Sequence, residues 1–178
     1  MVVVKLAYSD PPYIGQAKRH YSHDPSGIPA EEVDHKELIG RMVQDYDGWA
    51  LSTSSPALFE IIHMYPLSFW QEHNVRIGAW VKPFSSWKPT HRVQYCWEPV
   101  IFTPTRPKGS KSIPSVRDFV SANITMRRGT HGAKPDAFCD WALNVMGYQP
   151  GDIVTDMFPG SGAFTQAIER ALDQKQEK

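Results

Sequence analysis

At 178 residues, with 41% hydrophobic and 12% aromatic side chains, the chain is long enough to bury one real core and too short for two. No apolar run approaches the roughly 18–20 residues needed to span a bilayer, and MVVVKLAYSD at the N-terminus is too short and too soon acidic for a signal peptide. The net charge of zero argues at first against a polyanionic partner.

Val2 to Tyr8 is a short, β-branched, nearly continuous apolar run, suited to a central parallel strand covered on both faces. It stops at Ser9-Asp10-Pro11-Pro12-Tyr13, where two prolines cannot continue a ladder. Residues 14 to about 29 are polar and rich in Gly, Ser and Pro, a long surface loop. Asp34 caps a predicted helix running to about Asp45, with Leu38, Ile39, Met42 and Val43 on one face. Gly48 to Ser54 reads as a second strand, and Ser55-Pro56 opens a helix whose apolar side is Leu58, Phe59, Ile61, Ile62 and Met64. Val75 to Val81 predicts a third strand and Arg92 to Phe102 a fourth, with Val93, Tyr95, Trp97 and Val100 as its core residues.

Most of 103–132 reads as irregular, apart from a turn near Val116. A helix fits Pro135 to Met146 and ends at Gly147. Pro150-Gly151-Asp152 turns the chain into a fifth strand, Ile153-Val154-Thr155, which runs into Asp156-Met157-Phe158-Pro159-Gly160-Ser161-Gly162 and a last helix from Ala163. Strands alternating with helices predict one domain over 1–178, an α/β fold with a mostly parallel sheet of about five strands and helices on both faces. Ligands in such sheets bind beyond the carboxyl ends of the strands. Asp10–Tyr13 and Asp156–Gly162 both follow predicted strands, so both are expected on that rim.

The charges are unevenly distributed. Residues 1–81 hold 6 Lys+Arg against 10 Asp+Glu, residues 82–134 hold 10 against 2, and residues 135–178 hold 3 against 7. The basic middle third carries Lys82, Lys88, Arg92, Arg106, Lys108, Lys111, Arg117, Arg127 and Arg128. It reads either as a phosphate-facing surface or as a solvated face balanced by acidic neighbours. Two cysteines, Cys96 and Cys139, lack any CxxC spacing, so no metal site is expected and a disulfide is not implied.

Two motifs carry chemistry. In Asp156–Gly162, a strand, a loop with two glycines and a helix present free backbone N–H groups beside a helix terminus. The loop lacks the GKS or GKT ending of a phosphate loop, which disfavours ATP; a plain structural turn is the alternative. In Asp10–Tyr13 the prolines stiffen the backbone around a carboxylate and a carbonyl, an acceptor pair able to hold a primary amine by its N–H groups. Tyr13 offers a flat face for stacking, and a rigid turn after a core strand is the alternative.

Together the two motifs resemble those of the DNA amino-methyltransferases, in which a DPPY-type tetrad binds the target amine and a DxFxGxG loop binds S-adenosylmethionine. With DPPY preceding the loop, the order is similar to the circularly permuted branch often called the β class. Lys134-Pro135 matches the KP with which that branch begins a cofactor-flanking helix. The resemblance implies a Rossmann-like methyltransferase fold and direct methyl transfer to a flipped base amine, adenine N6 for the DPPY form, with N4-cytosine or RNA amine methylation as its variants. It implies that Asp10 and the Pro11 carbonyl hold the amine, that Tyr13 stacks on the base and that Pro12 shapes the pocket. It implies further that Asp156, Phe158, Gly160, Ser161 and Gly162 surround the cofactor, with Lys134 and Pro135 closing its other side. Trp80 and Lys82 read either as pocket lining or as a core aromatic beside a solvated lysine. DNA is the expected partner, contacted by Lys82, Arg106, Lys108, Arg127 and Arg128, with recognition loops at 14–36 and 103–132.

The pattern departs from the resemblance in one respect. Sites of this architecture take a ribose-binding carboxylate from the strand after the glycine loop, and the 16 residues after Gly162 (178 − 162) suffice for one helix only. A cofactor pocket open on one side is therefore expected, completed by Glu31 or Glu32, by a homodimer or by a partner chain. A non-catalytic DNA-binding module that keeps the fold is the alternative from a different class. No membrane association is expected, and the compact motif set suits an enzyme in the cytoplasm of a bacterial or phage-infected cell.

Overall fold

The computed structural model describes residues 2–16, 32–84, 88–106, 115–125 and 133–173. In chain order these form β1 (Lys5–Ser9), α1 (His35–Asp45), β2 (Gly48–Ser52), α2 (Ser55–His63), α3 (Leu67–Glu72), β3 (Arg76–Val81), β4 (Trp97–Thr103), β5 (Phe119–Ser121), α4 (Asp136–Met146), β6 (Ile153–Asp156) and α5 (Ala163–Asp173). One mixed sheet has the strand order β5-β3-β4-β2-β1-β6. All strands run parallel except β4, which pairs antiparallel with both β2 and β3. Among the described residues no helix is long and apolar enough to cross a membrane.

Alternation along β1 explains why it is central. Leu6 and Tyr8 enter a core shared with Phe138, Trp141 and Met146 of α4 and Phe164 of α5. Ala7 faces the other way, into a core built by Leu38, Ile39 and Met42 of α1, Ile61 of α2 and Trp70 of α3. A strand buried on both faces needs an apolar stretch, here Leu6, Ala7 and Tyr8; Val2 and Val3, expected in the same strand, precede β1 and are exposed. Helices thus cover both faces, giving three layers.

Local signals set the element ends. Asp34 caps α1 by accepting a hydrogen bond from the Glu37 amide, 3.0 Å, and Ser54 caps α2 from the Ala57 amide, 3.3 Å. Helix α4 stops at Gly147, whose φ of 83° lies in the left-handed region that a side chain would strain. Pro99 sits inside β4 without loss: its carbonyl accepts from Thr53 N just beyond β2, so its missing N–H falls past the end of that ladder.

The structure corrects several expectations. The sheet has six strands, not five; the short β5 lies within the stretch read as irregular and pairs with β3. Helix α3 follows Pro66 directly and has only six residues, too few to show a period. The fourth strand begins at Trp97, not Arg92. Before it the Gln94 side chain folds the chain back by accepting from Lys88 N at 2.8 Å and donating to Lys88 O at 3.0 Å. Val93 is therefore 81% exposed, and Tyr95 and Trp97 are exposed as well. Phe59, expected on the inner side of α2, is 71% exposed.

Candidate functional site

Strands β1 and β6 are parallel neighbours with Tyr8 opposite Asp156, so the segments that follow them leave the sheet side by side. The Met157 amide donates to the Tyr8 carbonyl at 2.9 Å, continuing the ladder one residue past β6. Above this point the Phe164 ring of α5 stacks on Tyr8 with centroids 3.9 Å apart. The DPPY segment and the glycine loop therefore share one rim.

On the β1 side, Asp10 is the hub of a charged cluster. Lys134 Nζ lies 2.8 and 2.7 Å from the two carboxylate oxygens of Asp10 and 3.2 Å from the Tyr13 hydroxyl. Tyr13 donates its proton to Glu98 Oε2 at 2.8 Å rather than to Asp10, which is 3.5 Å away. Lys82 pairs with the other oxygen of Glu98, and its ammonium lies 4.5 Å from the centre of the Trp80 ring. Two carboxylates and two ammoniums thus meet here, with the Lys134 ammonium 5.7 and 5.9 Å from the centres of the Trp80 and Phe138 rings. Lys134 is brought there by Pro135, the N-terminal cap of α4, and only 8% of its side chain is exposed.

Burial decides the protonation behaviour. It raises the Asp10 carboxyl above the usual carboxylate range although Lys134 opposes the shift. Burial would raise Glu98 too, but Lys134 and Lys82 outweigh it and hold its pKa below the ordinary value. The Tyr13 phenol is pushed well above its usual value by burial and by the Glu98 and Asp10 carboxylates, so it stays a donor.

On the β6 side, Pro159 to Gly162 turn tightly, the Gly162 amide donating to the Pro159 carbonyl at 2.6 Å. Gly162 has φ 75°, and its carbonyl starts α5 by accepting from Gln166 N at 2.9 Å. Asp156 accepts from the Thr165 hydroxyl through Oδ2 at 2.8 Å, while Oδ1 is buried with no hydrogen-bond partner. Burial raises this carboxyl against the pull of the Thr165 bond. Beside Asp156 opens a cleft of about 440 Å³, bounded by Tyr46, Met157 and Phe158 and by Asp34, Glu37 and Arg41 of the α1 end.

The predicted residues divide as follows. Asp10 and Tyr13 meet Lys134, and the glycine loop lies beside them; Pro11 and Pro12 are buried. Lys82 is half-buried and pairs with Glu98 beside Lys134 rather than standing on a phosphate-facing surface. Arg106 is corrected more strongly, because it stands at the opposite end of the sheet. Its guanidinium holds Asp152 at 2.8 and 3.0 Å and the Gly147 carbonyl at 2.6 Å, below the starts of β1 and β6. Lys108, Arg127, Arg128 and Glu31 lie outside the described residues. Glu32 accepts from the Gly15 amide at 3.2 Å; the carboxylates that line the cleft are Asp34, Glu37 and Asp156. Among the described residues no group of three or more His, Cys, Asp or Glu is placed to hold a metal. Cys96 is exposed, whereas Cys139 is buried and its thiol pushed up to about 12 by that burial.

Sequence reasoning missed Glu98 and Glu37. Glu98 precedes Pro99 in a strand whose face was not resolved by pattern, and its signal was its place as the single acid between Lys82 and Arg117. Glu37 is the first-turn acid of a capped helix, a position that needs no function to explain it.

No protein-family model matches the chain, and no curated protein sequence does. Fifty-seven chains of solved structures match. The crystal structure of M1.HpyAVI in complex with SAM superposes with a TM-score of 0.59 at 18% identity, covering 96% of this chain and 80% of that one. A second crystal structure of M1.HpyAVI gives 0.55 at 19% identity, covering 96% and 78%. The likeness is one of fold: this chain shares the α/β, Rossmann-like fold of these structures.

Proposed function

We propose that this protein is an S-adenosylmethionine-dependent methyltransferase acting on an exocyclic base amine of DNA, adenine N6 in the first instance. The observation that carries the proposal is the adjacency of the two motifs. An amine-binding carboxylate, Asp10, and a glycine loop opening a helix leave neighbouring parallel strands that are hydrogen-bonded to each other at the rim. The neighbour M1.HpyAVI was solved with SAM bound, which supports the cofactor.

The residues present fit that cofactor. Asp156 keeps an acceptor, Oδ1, without a partner, and the glycines let a ligand approach the backbone closely. The cleft beside Asp156 would take the nucleoside end. Glu37 is the carboxylate there for the ribose hydroxyls, since Asp34 is engaged as the cap of α1. When bound, the cofactor supplies a methyl group on a sulfonium, open to in-line attack by nitrogen.

The chain supplies the rest. An amine conjugated to a base ring is a weak nucleophile because its lone pair is delocalised. Donating its N–H groups to Asp10 and the Pro11 carbonyl favours a pyramidal nitrogen, and the carboxylate stabilises the positive charge that develops there. Tyr13, fixed through its hydroxyl by Glu98, presents its ring to the base. Positioning and electrostatics then suffice without a covalent intermediate. A base within a duplex cannot reach Asp10, so extrusion at a cost of a few kcal/mol is required. Methylation of cytosine N4 or of an RNA amine would use the same atoms; nuclease digestion and mass spectrometry of the product separate these targets.

A second reading, a binding module without catalysis, draws on the hold of Lys134 on Asp10. Titration calorimetry with S-adenosylmethionine tests both. Saturable heat together with methylated adenine in DNA supports the enzyme, and no heat with no thermal shift supports the module.

A further inference from the structure

The two carboxylates of the site share one lysine unequally. Lys134 Nζ spans both oxygens of Asp10 at 2.8 and 2.7 Å and stands 3.8 Å from Glu98 Oε2. It is enclosed by the rings of Tyr13, Trp80 and Phe138, with centroids 5.6, 5.7 and 5.9 Å away. An ammonium astride both Asp10 oxygens occupies the acceptor positions that an arriving base amine would need. Lysine is a compact charge with three rotatable donors on a flexible stem. A small swing would exchange its near and far carboxylates.

Resting on the amine-binding role of Asp10 proposed above, we propose that Lys134 is a displaceable latch. It neutralises Asp10 while the pocket is empty and passes to Glu98 when the amine of an extruded base arrives.

Charge requires such a receiver. A neutral amine that replaced the ammonium would cost Lys134 its two hydrogen bonds to Asp10 in a site largely removed from water, where a lost charge pair is unfavourable, and Glu98 stands 3.8 Å away to take up that pairing. With Glu98 as receiver, two carboxylates and two ammoniums still balance. Lys82, already paired with Glu98, keeps that carboxylate ionised and ready. Catalysis requires the withdrawal too, because an ammonium left on Asp10 would cancel the stabilisation of positive charge on the target nitrogen. The latch also selects. A base edge that offers a carbonyl where the amine should be has no donor with which to take Asp10 from Lys134, so thymine-like and hypoxanthine-like edges are refused.

The test uses the full chain and a duplex that the wild type methylates, remade with the target base opposite an abasic site so that extrusion is already favoured. The dissociation constants of this duplex (by anisotropy) and of S-adenosylmethionine (by calorimetry) are measured for wild type, Lys134→Met, Glu98→Gln and the double variant. The latch predicts duplex binding about fivefold tighter for Lys134→Met and about fivefold weaker for Glu98→Gln, whose amide oxygen still accepts from Tyr13, with the weakening by Glu98→Gln much smaller once Lys134 is gone. Cofactor affinity, measured in parallel, stays within about twofold in Glu98→Gln. If Lys134→Met melts below the assay temperature, Lys134→Gln is used with the same expectation. Equal weakening by Glu98→Gln in both backgrounds, or loss of cofactor affinity in place of tighter duplex binding, overturns the latch alone. A wild type that methylates no nucleic acid overturns the role of Asp10, and the latch with it.

Discussion

The Met157 amide donates to the Tyr8 carbonyl at 2.9 Å, joining two segments that most of the chain separates. This bond lies where β1 and β6 end, two residues before Asp10 and one after Asp156, and it sets the glycine loop and the DPPY segment side by side.

If that site holds S-adenosylmethionine, its two acidic contacts can be tested apart from catalysis. Asp156→Ala removes the unpartnered acceptor and the Thr165 anchor together, and Glu37→Ala removes the carboxylate proposed for the ribose. Each is expected to raise the cofactor dissociation constant about tenfold, or about 1.4 kcal/mol, by calorimetry. Unchanged affinity in Glu37→Ala would place the nucleoside elsewhere.

The Asp10 carboxyl is raised by burial, so its acceptor form is complete only above the ordinary aspartate range. kcat/KM should therefore fall on the acid side at a pH above the ordinary aspartate value, as Asp10 takes up a proton. Because Lys134 opposes the shift, Lys134→Met should move this limb further up. A profile measured across the acid range with its limb at or below the ordinary value contradicts the assignment.

Arg106 predicts a loss of stability and no loss of DNA binding. Removing it leaves Asp152, whose side chain is 3% exposed, without its charge partner, which costs about 3 kcal/mol. Arg106→Ala should lower Tm by about 6–12 °C while leaving the salt dependence of DNA affinity unchanged. Burial would raise Asp152, but the Arg106 bonds and the Gln149 and Val4 amides outweigh it and depress its pKa. The wild type therefore has this stabilisation in full above the ordinary aspartate pKa and loses it as pH falls through the depressed value. Arg106→Ala should flatten that part of the stability–pH curve, as thermal melts at stepped pH would show.

Lys108, Arg127 and Arg128 remain candidates for phosphate contact, and the adjacent pair Arg127 and Arg128 gives the simplest test. Replacing both with alanine should reduce the slope of log affinity against log salt by about two. Equal slopes for wild type and double variant would remove them from the interface.

How much of this was legible in the sequence depended on whether a residue answered to a local rule. Asp34 and Gly147 act within one turn of their own position, and both were readable as helix ends; Ser54 reads as the end of a strand, yet it lies beyond β2 and caps α2. The burial of Leu6, Ala7 and Tyr8 followed from one nearly continuous apolar run, although its first residues, Val2 and Val3, are exposed. Three-residue β5 and six-residue α3 were not legible, since neither completes enough of a period to stand out from the Pro-rich chain around it. Arg106 looked like a phosphate contact because its partner, Asp152, is brought to it only by the sheet. Lys134 and Asp10, each singled out by motif, gave no sign in sequence that they form a pair. Glu98 had no motif at all, and its value comes from where antiparallel β4 sets it opposite Trp80.

The central claim is tested most directly by methyl transfer from labelled S-adenosylmethionine to DNA, comparing wild type with Asp10→Ala. The account predicts N6-methyladenine from the wild type, a rate at least about 10²-fold lower in Asp10→Ala, and cofactor affinity unchanged between the two. Equal transfer by both proteins would contradict it.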